Sequence, residues 1–102
     1  MQKILRNKIE QLQKLCVSLR VKRMHVFGSI TSSRFTPESD VDFLISFSDQ
    51  LNVEQYTDNY FELHERLRKI FNRRIDLVME KTLSNPYFIE SIEKTKQLIY
   101  EE

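Results

Sequence analysis

The run Val41-Asp42-Phe43-Leu44-Ile45-Ser46-Phe47 admits little other than a β-strand. β-Branched and aromatic residues fit a pleated, half-buried surface, and this run is rich in both. It carries an acid near its start, and a second acid, Asp40, stands two residues before that one. Side chains alternate across a strand, so Asp40 and Asp42 share a face. Their Cα atoms are about 6.6 Å apart at a rise of about 3.3 Å per residue. Two carboxylates on one face repel, and one of them takes up a proton unless a cation lies between them. With no His or Cys beside them, these oxygen donors suit magnesium or manganese rather than zinc.

The rest of the chain is read from changes in the hydrophobic period. Leu5, Ile9, Leu12, Cys16 and Leu19 step by fours and threes, which predicts one amphipathic helix over about residues 1–19. A short strand follows over Lys22–Phe27 and ends at Gly28-Ser29, the only glycine in the chain. The Ser- and Thr-rich stretch after it, with Pro37, reads as a loop or a loop with a short helical turn. Val53, Tyr56, Tyr60, Leu63, Leu67 and Ile70 predict a long helix ending near Phe71. Ile75–Met79 reads as a third strand. Ser84-Asn85-Pro86 is a helix start, and Phe88, Ile92, Thr95 and Ile99 give the last helix its apolar face. The order helix, strand, strand, helix, strand, helix predicts an α/β (α+β) class with helices packed on a small mixed sheet.

Asp76 is the second residue of the third strand, a charge at a strand start among apolar neighbours. If the second and third strands pair, Asp40, Asp42 and Asp76 converge on one sheet edge. That is the donor set of a two-metal phosphoryl-transfer site, with the third acid holding an ion or taking a proton from an attacking hydroxyl. Gly28 lets the backbone turn sharply against a ligand, and Ser29 with the residues after it offers N–H groups and a hydroxyl to an anion. Gly-Ser, ten intervening residues and Asp-x-Asp specify four positions. At about 5–7% usage per residue type, chance produces that pattern on the order of once in a thousand chains of this length.

Composition sets bounds. The 102 residues fit one small domain, residues 1–102, with 40% hydrophobic and 30% charged side chains. Sixteen basic and fifteen acidic side chains leave a net charge of +1, not the basic excess expected for direct nucleic-acid binding. No apolar run has the length of a membrane span, and the N-terminal stretch lacks the apolar centre of a secretion signal. A single cysteine, Cys16, cannot form an internal disulfide, which points to the cytoplasm. His25 and His64 stand apart from any Cys/His cluster and read as packing or surface residues. Tyr56 and Tyr60 follow core spacing, and Cys16 lies on an apolar stripe. Lys22-Arg23 and Arg73-Arg74 precede strands and form one basic patch if the first and third strands are neighbours. Tyr100 and the terminal acids read as exposed and open to a partner.

Gly28-Ser29 followed after ten residues by Asp40-Val41-Asp42 resembles the signature of the polymerase-β-type nucleotidyltransferase superfamily. Phe27, Ser39, Arg74-Ile75-Asp76-Leu77-Val78 and the ending Asn85-Pro86-Tyr87-Phe88 through Tyr100 resemble its minimal nucleotidyltransferase branch. The resemblance implies a nucleotidyltransferase fold and transfer of AMP from ATP to a hydroxyl. It implies Asp40, Asp42 and Asp76 as catalytic residues and ligands of Mg2+ or Mn2+, and Gly28 and Ser29 as triphosphate-binding residues. It also implies a partner, a HEPN-type ribonuclease toxin that receives AMP on a tyrosine hydroxyl, with this chain as the antitoxin. Neither histidine forms the Arg-His pair expected of such a ribonuclease, so this chain reads as the partner rather than the toxin. One departure stands out: relatives usually carry Ala-Arg-Gly where this chain has Thr31-Ser32-Ser33. Arg34, two residues beyond the missing arginine, is then expected to supply the positive charge. Two other functions stay open: an antitoxin that neutralises by contact alone, and a small-molecule nucleotidyltransferase whose acceptor pocket a homo-oligomer would complete.

Overall fold

The computed structural model describes residues 2–102; Met1 lies outside the described residues. Helices α1 (Lys3–Arg6) and α2 (Ile9–Ser18) lead into strand β1 (Val21–Phe27), and a single 3-10 turn over Gly28–Thr31 follows. Strand β2 (Val41–Phe47), helix α3 (Val53–Phe71), strand β3 (Ile75–Met79), helix α4 (Pro86–Thr95) and strand β4 (Gln97–Glu101) complete the chain. The sheet order is β3-β2-β1-β4. β1 runs antiparallel to both its neighbours, and β2 and β3 run parallel, so the sheet is mixed, as expected.

Alternation divides the sheet into two faces. Val41, Phe43, Ile45 and Phe47 of β2, with Ile75, Leu77 and Met79 of β3, join Met24 and Val26 of β1 in the main core. Leu5, Leu12, Leu15 and Cys16 cover that core from α1 and α2, and Leu63, Leu67 and Phe71 cover it from α3. The opposite face carries a smaller cluster of Phe27, Leu44 and Ile92, with Val78 and Leu83 at its margin, under α4. Asp42 and Asp76 belong to this second face by the same alternation, being two residues from Leu44 and Val78.

Local chemistry sets the ends of α3. Asn52 accepts the Gln55 backbone N–H (2.8 Å) while the Gln55 side chain accepts that of Asn52 (3.0 Å), a reciprocal cap. Asn72 closes the helix in the left-handed region, φ 51°, a conformation that asparagine tolerates better than most residues. Asn85 caps α4 by accepting the Tyr87 and Phe88 N–H groups, ahead of Pro86 at the first helical position.

Four expectations are corrected. The N-terminal helix is two helices, broken at Asn7-Lys8. The break lets buried Leu5 reach the core while Gln2 Nε2 donates to the Ser32 carbonyl (2.9 Å). The last helix ends at Thr95 and Ile99 lies on β4. Its seven-residue spacing from Ile92 fits a helical stripe, but β1 needs a partner at its free edge and residues 97–101 supply it. β1 and β3 are separated by β2, so the two basic pairs form no single patch. Arg23 instead makes ion pairs with Glu80 (2.7 Å) and Glu101 (3.2 Å). Tyr100 is partly buried against the main core rather than exposed.

Candidate active site

The site begins where β1 stops. Phe27 is still extended, and Gly28 turns the chain at φ +77°, a conformation costly for residues with a Cβ. The backbone here also passes hard against β2. A Cβ on Gly28 would stand 2.6 Å from Asp42 Oδ2, inside any tolerable contact. The sole glycine is thus required by the aspartate fourteen residues on. The Gly28 N–H does not point to an open site; it donates to Thr95 Oγ1 of α4 (3.0 Å).

Pairing brings two of the acids together. Asp42 lies opposite Phe27 on one side and opposite Asp76 on the other, in the parallel β2–β3 ladder. Parallel partners on one face put the two carboxylates side by side, with strands about 4.8 Å apart. Asp42 is half-buried and Asp76 is exposed. The Asp42 carboxyl is raised to about 6, first by burial, then by the charge of Asp76, then by that of Asp40. Asp40 stands just before β2, and its carboxylate lies 3.9 Å from the Arg74 guanidinium, both well exposed. An exposed contact of that length holds little energy.

The approach to Asp40 is tied down. Arg73 Nη1 donates to the carbonyls of Thr36 (3.1 Å) and Ser39 (2.9 Å), and its guanidinium stacks over Phe35 (4.6 Å). The Ser39 N–H donates to the Thr36 carbonyl while the Thr36 N–H donates to Ser39 Oγ. The Val41 N–H donates to the Arg74 carbonyl (3.1 Å), starting the ladder that aligns Asp42 with Asp76. On the other side, Thr31 Oγ1 donates to the Gly28 carbonyl, Ser32 Oγ donates to that of Ser29, and Ser32 Oγ accepts the Arg34 N–H.

As a donor set, three carboxylates suit a hard divalent cation, and a shared cation would relieve the repulsion that lifts Asp42. The side chains do not close into a cage by themselves. Among the described residues no group of three or more His, Cys, Asp or Glu side chains is gathered tightly enough to hold an ion. Asp42 and Asp76 are the assembled half, and Asp40 lies toward Arg74.

A family model described as a nucleotidyltransferase domain matches residues 3–99. The chain belongs to the nucleotidyltransferase domain family. It is 40% identical over 81 residues to a proposed protein adenylyltransferase of Methanocaldococcus jannaschii, covering 79% of this chain and 77% of the relative. It is 32% identical over 65 residues to the protein adenylyltransferase MntA of Thermococcus cleftensis, covering 64% of this chain and 62% of that one. A solved structure of a proposed minimal nucleotidyltransferase superposes with a TM-score of 0.70 at 26% identity, covering 91% and 90% of the two chains. A toxin–antitoxin structure with AMP-PNP superposes at the same TM-score and 18% identity, covering 92% and 73%, a likeness of fold.

For this nucleotidyltransferase, sequence reasoning overlooked two supporting residues. By spacing Thr95 belongs to an apolar helix face, yet its hydroxyl secures the Gly28 turn. Arg73 reads as half of a basic pair before a strand, yet it pins the loop before Asp40. Neither has a signal in spacing, because both act through contacts between distant segments. His64 is a packing residue as expected, with Nε2 3.1 Å from the Ile75 carbonyl. His25 is partly buried, and its Nδ1 has no partner among the described residues. Cys16 is buried beside Met24, its thiol pushed up to about 12 by burial and inert as a nucleophile.

Proposed function

We propose that this nucleotidyltransferase is an antitoxin that transfers AMP from ATP to a tyrosine hydroxyl of a HEPN ribonuclease toxin. The observation that carries the reading is the in-register pair Asp42 and Asp76 beneath Gly28, which places carboxylates at the turn where a triphosphate would lie. The relatives support the choice of reaction, being protein adenylyltransferases by name. The superposed structures support the partner. One is a tri-AMPylated HEPN toxin of Shewanella oneidensis in complex with its MNT antitoxin, at a TM-score of 0.65 and 16% identity.

In this reading Asp40, Asp42 and Asp76 hold Mg2+ or Mn2+, and the metal supplies charge neutralisation at the phosphates when bound. Gly28 lets the turn pass close against Asp42, while Ser29 and Arg34 contact the phosphates of the nucleotide. The acceptor oxygen attacks the α-phosphorus, the bond to the β-phosphate oxygen breaks, and pyrophosphate leaves. Asp76, the most open of the three acids, takes the hydroxyl proton. The remaining work is orientation by a fixed loop and a fixed strand pair.

The test is to mix the protein with ATP, Mg2+ and the partner toxin and weigh the toxin. A gain of one or more AMP units, lost with Asp40→Asn, is the expected result; an unchanged toxin mass rejects the enzyme. The open carboxylate arrangement and the loop without its usual arginine favour a second reading, neutralisation by contact alone. The Asp40→Asn, Asp42→Asn double variant separates them: it still neutralises if contact suffices and fails if transfer is required.

A further inference from the structure

β2 and β3 run parallel and in register from Val41 and Ile75, so the residues just before each strand lie side by side. Two arginines stand there and are used differently. Arg74 is exposed and reaches the Asp40 carboxylate at 3.9 Å. Arg73 is partly buried, and its Nη1 donates to two carbonyls of the other segment, Thr36 (3.1 Å) and Ser39 (2.9 Å). Its guanidinium carbon stands 4.6 Å from the centre of the Phe35 ring. A flat guanidinium stacks on a ring while its edge donates, which the point charge of a lysine does not reproduce.

Of the three acids, Asp40 depends most on this tie. Asp42 and Asp76 lie within the β2–β3 ladder, which fixes their backbones. Asp40 precedes β2 and is held from its two sides. The Val41 N–H donates to the Arg74 carbonyl (3.1 Å), and the Ser39 carbonyl accepts from Arg73. Between those anchors the Asp40 backbone is set and its side chain is left to rotate. The exposed contact with Arg74 opposes that rotation only weakly. Without Arg73, the turn closed by Thr36 and Ser39 keeps its own bonds but loses this tie to the segment before β3.

Resting on the functional reading above, we propose that Arg73 is a positioning residue for the cation site: it sets the backbone of Asp40 so that this carboxylate joins Asp42 and Asp76 on the ion. The sign of its effect separates this role from electrostatics. Arg73 is a cation near a cation site, so by charge alone its removal strengthens metal binding. Loss of the tie weakens binding instead, because Asp40 must then be ordered when the ion arrives.

Uptake of Mn2+ by the whole chain, read from the loss of the free-ion EPR signal, tests this without turnover. Arg73→Gln is expected to weaken Mn2+ binding about tenfold, near the worth of one hydrogen bond to a charged group, and to speed amide exchange at Ser39 and Val41. Arg74→Gln removes the same charge one residue on and binds Mn2+ at least as well as wild type. In an Asp40→Asn background Arg73→Gln changes binding by less than about twofold, whereas general loosening of the site weakens both backgrounds alike. If Arg73→Gln melts early, Arg73→Lys carries the test, with a loss of about threefold and the same dependence on Asp40. Binding within about twofold of wild type in folded Arg73→Gln, or equal losses in both backgrounds, overturns the role of Arg73 while the transferase reading stands. A wild type that takes up no Mn2+ also overturns it, and the mass of the toxin after incubation with ATP and Mg2+ then decides the transferase reading separately.

Discussion

Gly28 and Asp42 were chosen for each other by geometry. Gly28→Ala meets two obstacles at once, a positive φ and a carboxylate oxygen 2.6 Å from the new methyl. The left-handed conformation alone costs about 1–2 kcal/mol. The clash adds to it and moves Asp42, so thermal melting should fall by several degrees and AMP transfer by more than tenfold. Retained activity would show that the turn has slack. Asp42 makes the opposite prediction for stability. Its carboxyl titrates near 6 in the fold and near 4 in the unfolded chain. The folded state therefore holds the extra proton between pH 4 and 6, and stability falls as pH rises through that window. Above pH 6 the repulsion is fully present. In metal-free buffer at pH 7.5, Asp42→Asn should raise stability by about 1 kcal/mol, discounted for the partial exposure of the site. That is about 4–8 °C in Tm for a chain near this length. The two melting curves should converge below pH 4, and Mg2+ should stabilise the wild type only. A variant that melts lower at pH 7.5 would remove the repulsion argument.

At the scale of elements, the best-read parts were those whose local signals agree. α3 shows a helical stripe, a polar cap at Asn52 and an asparagine stop at Asn72, and its bounds match the expectation at both ends. β2 and β3 were legible because acids interrupt otherwise apolar runs. Their pairing is only a condition in the sequence, and the parallel ladder meets it for Asp42 and Asp76. β4 was not legible, because Ile99 continues the α4 stripe by spacing and only the bare edge of β1 decides otherwise. The bend at Asn7-Lys8 has no glycine or proline to announce it; it comes from what Gln2 and Leu5 reach. The contact that most constrains the site, Thr95 to Gly28, links residues 67 apart and leaves no trace in a linear pattern. Thr95→Val tests it by preserving shape and removing the acceptor. Leaving the Gly28 N–H unpaired should cost about 1–3 kcal/mol and reduce nucleotide affinity, because the turn against Asp42 loses its brace. On α3, Asn52→Ala should cost about 1 kcal/mol and leave transfer unchanged, which separates a cap from a site.

The whole molecule is an asymmetric sandwich, with a thick core under α1, α2 and α3 and a thin one under α4. The acids lie on the thin side, beside the turn that follows β1. The thin side has few apolar contacts, and the free edge of β1 is closed by β4. β4 buries Ile99 in the main core, receives a bond from Gln13 Nε2 at the Ile99 carbonyl (3.1 Å), and offers Glu101 to Arg23. Arg23 also binds Glu80 through two hydrogen bonds, so one guanidinium ties the edge strand to the segment after β3. Ending the chain after Lys96 removes all of this. Loss of a buried Ile side chain alone costs about 2–5 kcal/mol, and β1 is left with an open edge prone to pairing with other chains. Small domains have about 5–15 kcal/mol in total, so the shortened protein should lose cooperative melting or aggregate well below the wild-type Tm. Ile99→Ala with β4 retained should cost only the side-chain share and keep the site. If the shortened chain melts like the wild type and still transfers AMP, the edge strand is dispensable and the acids are held by β1, β2 and β3 alone.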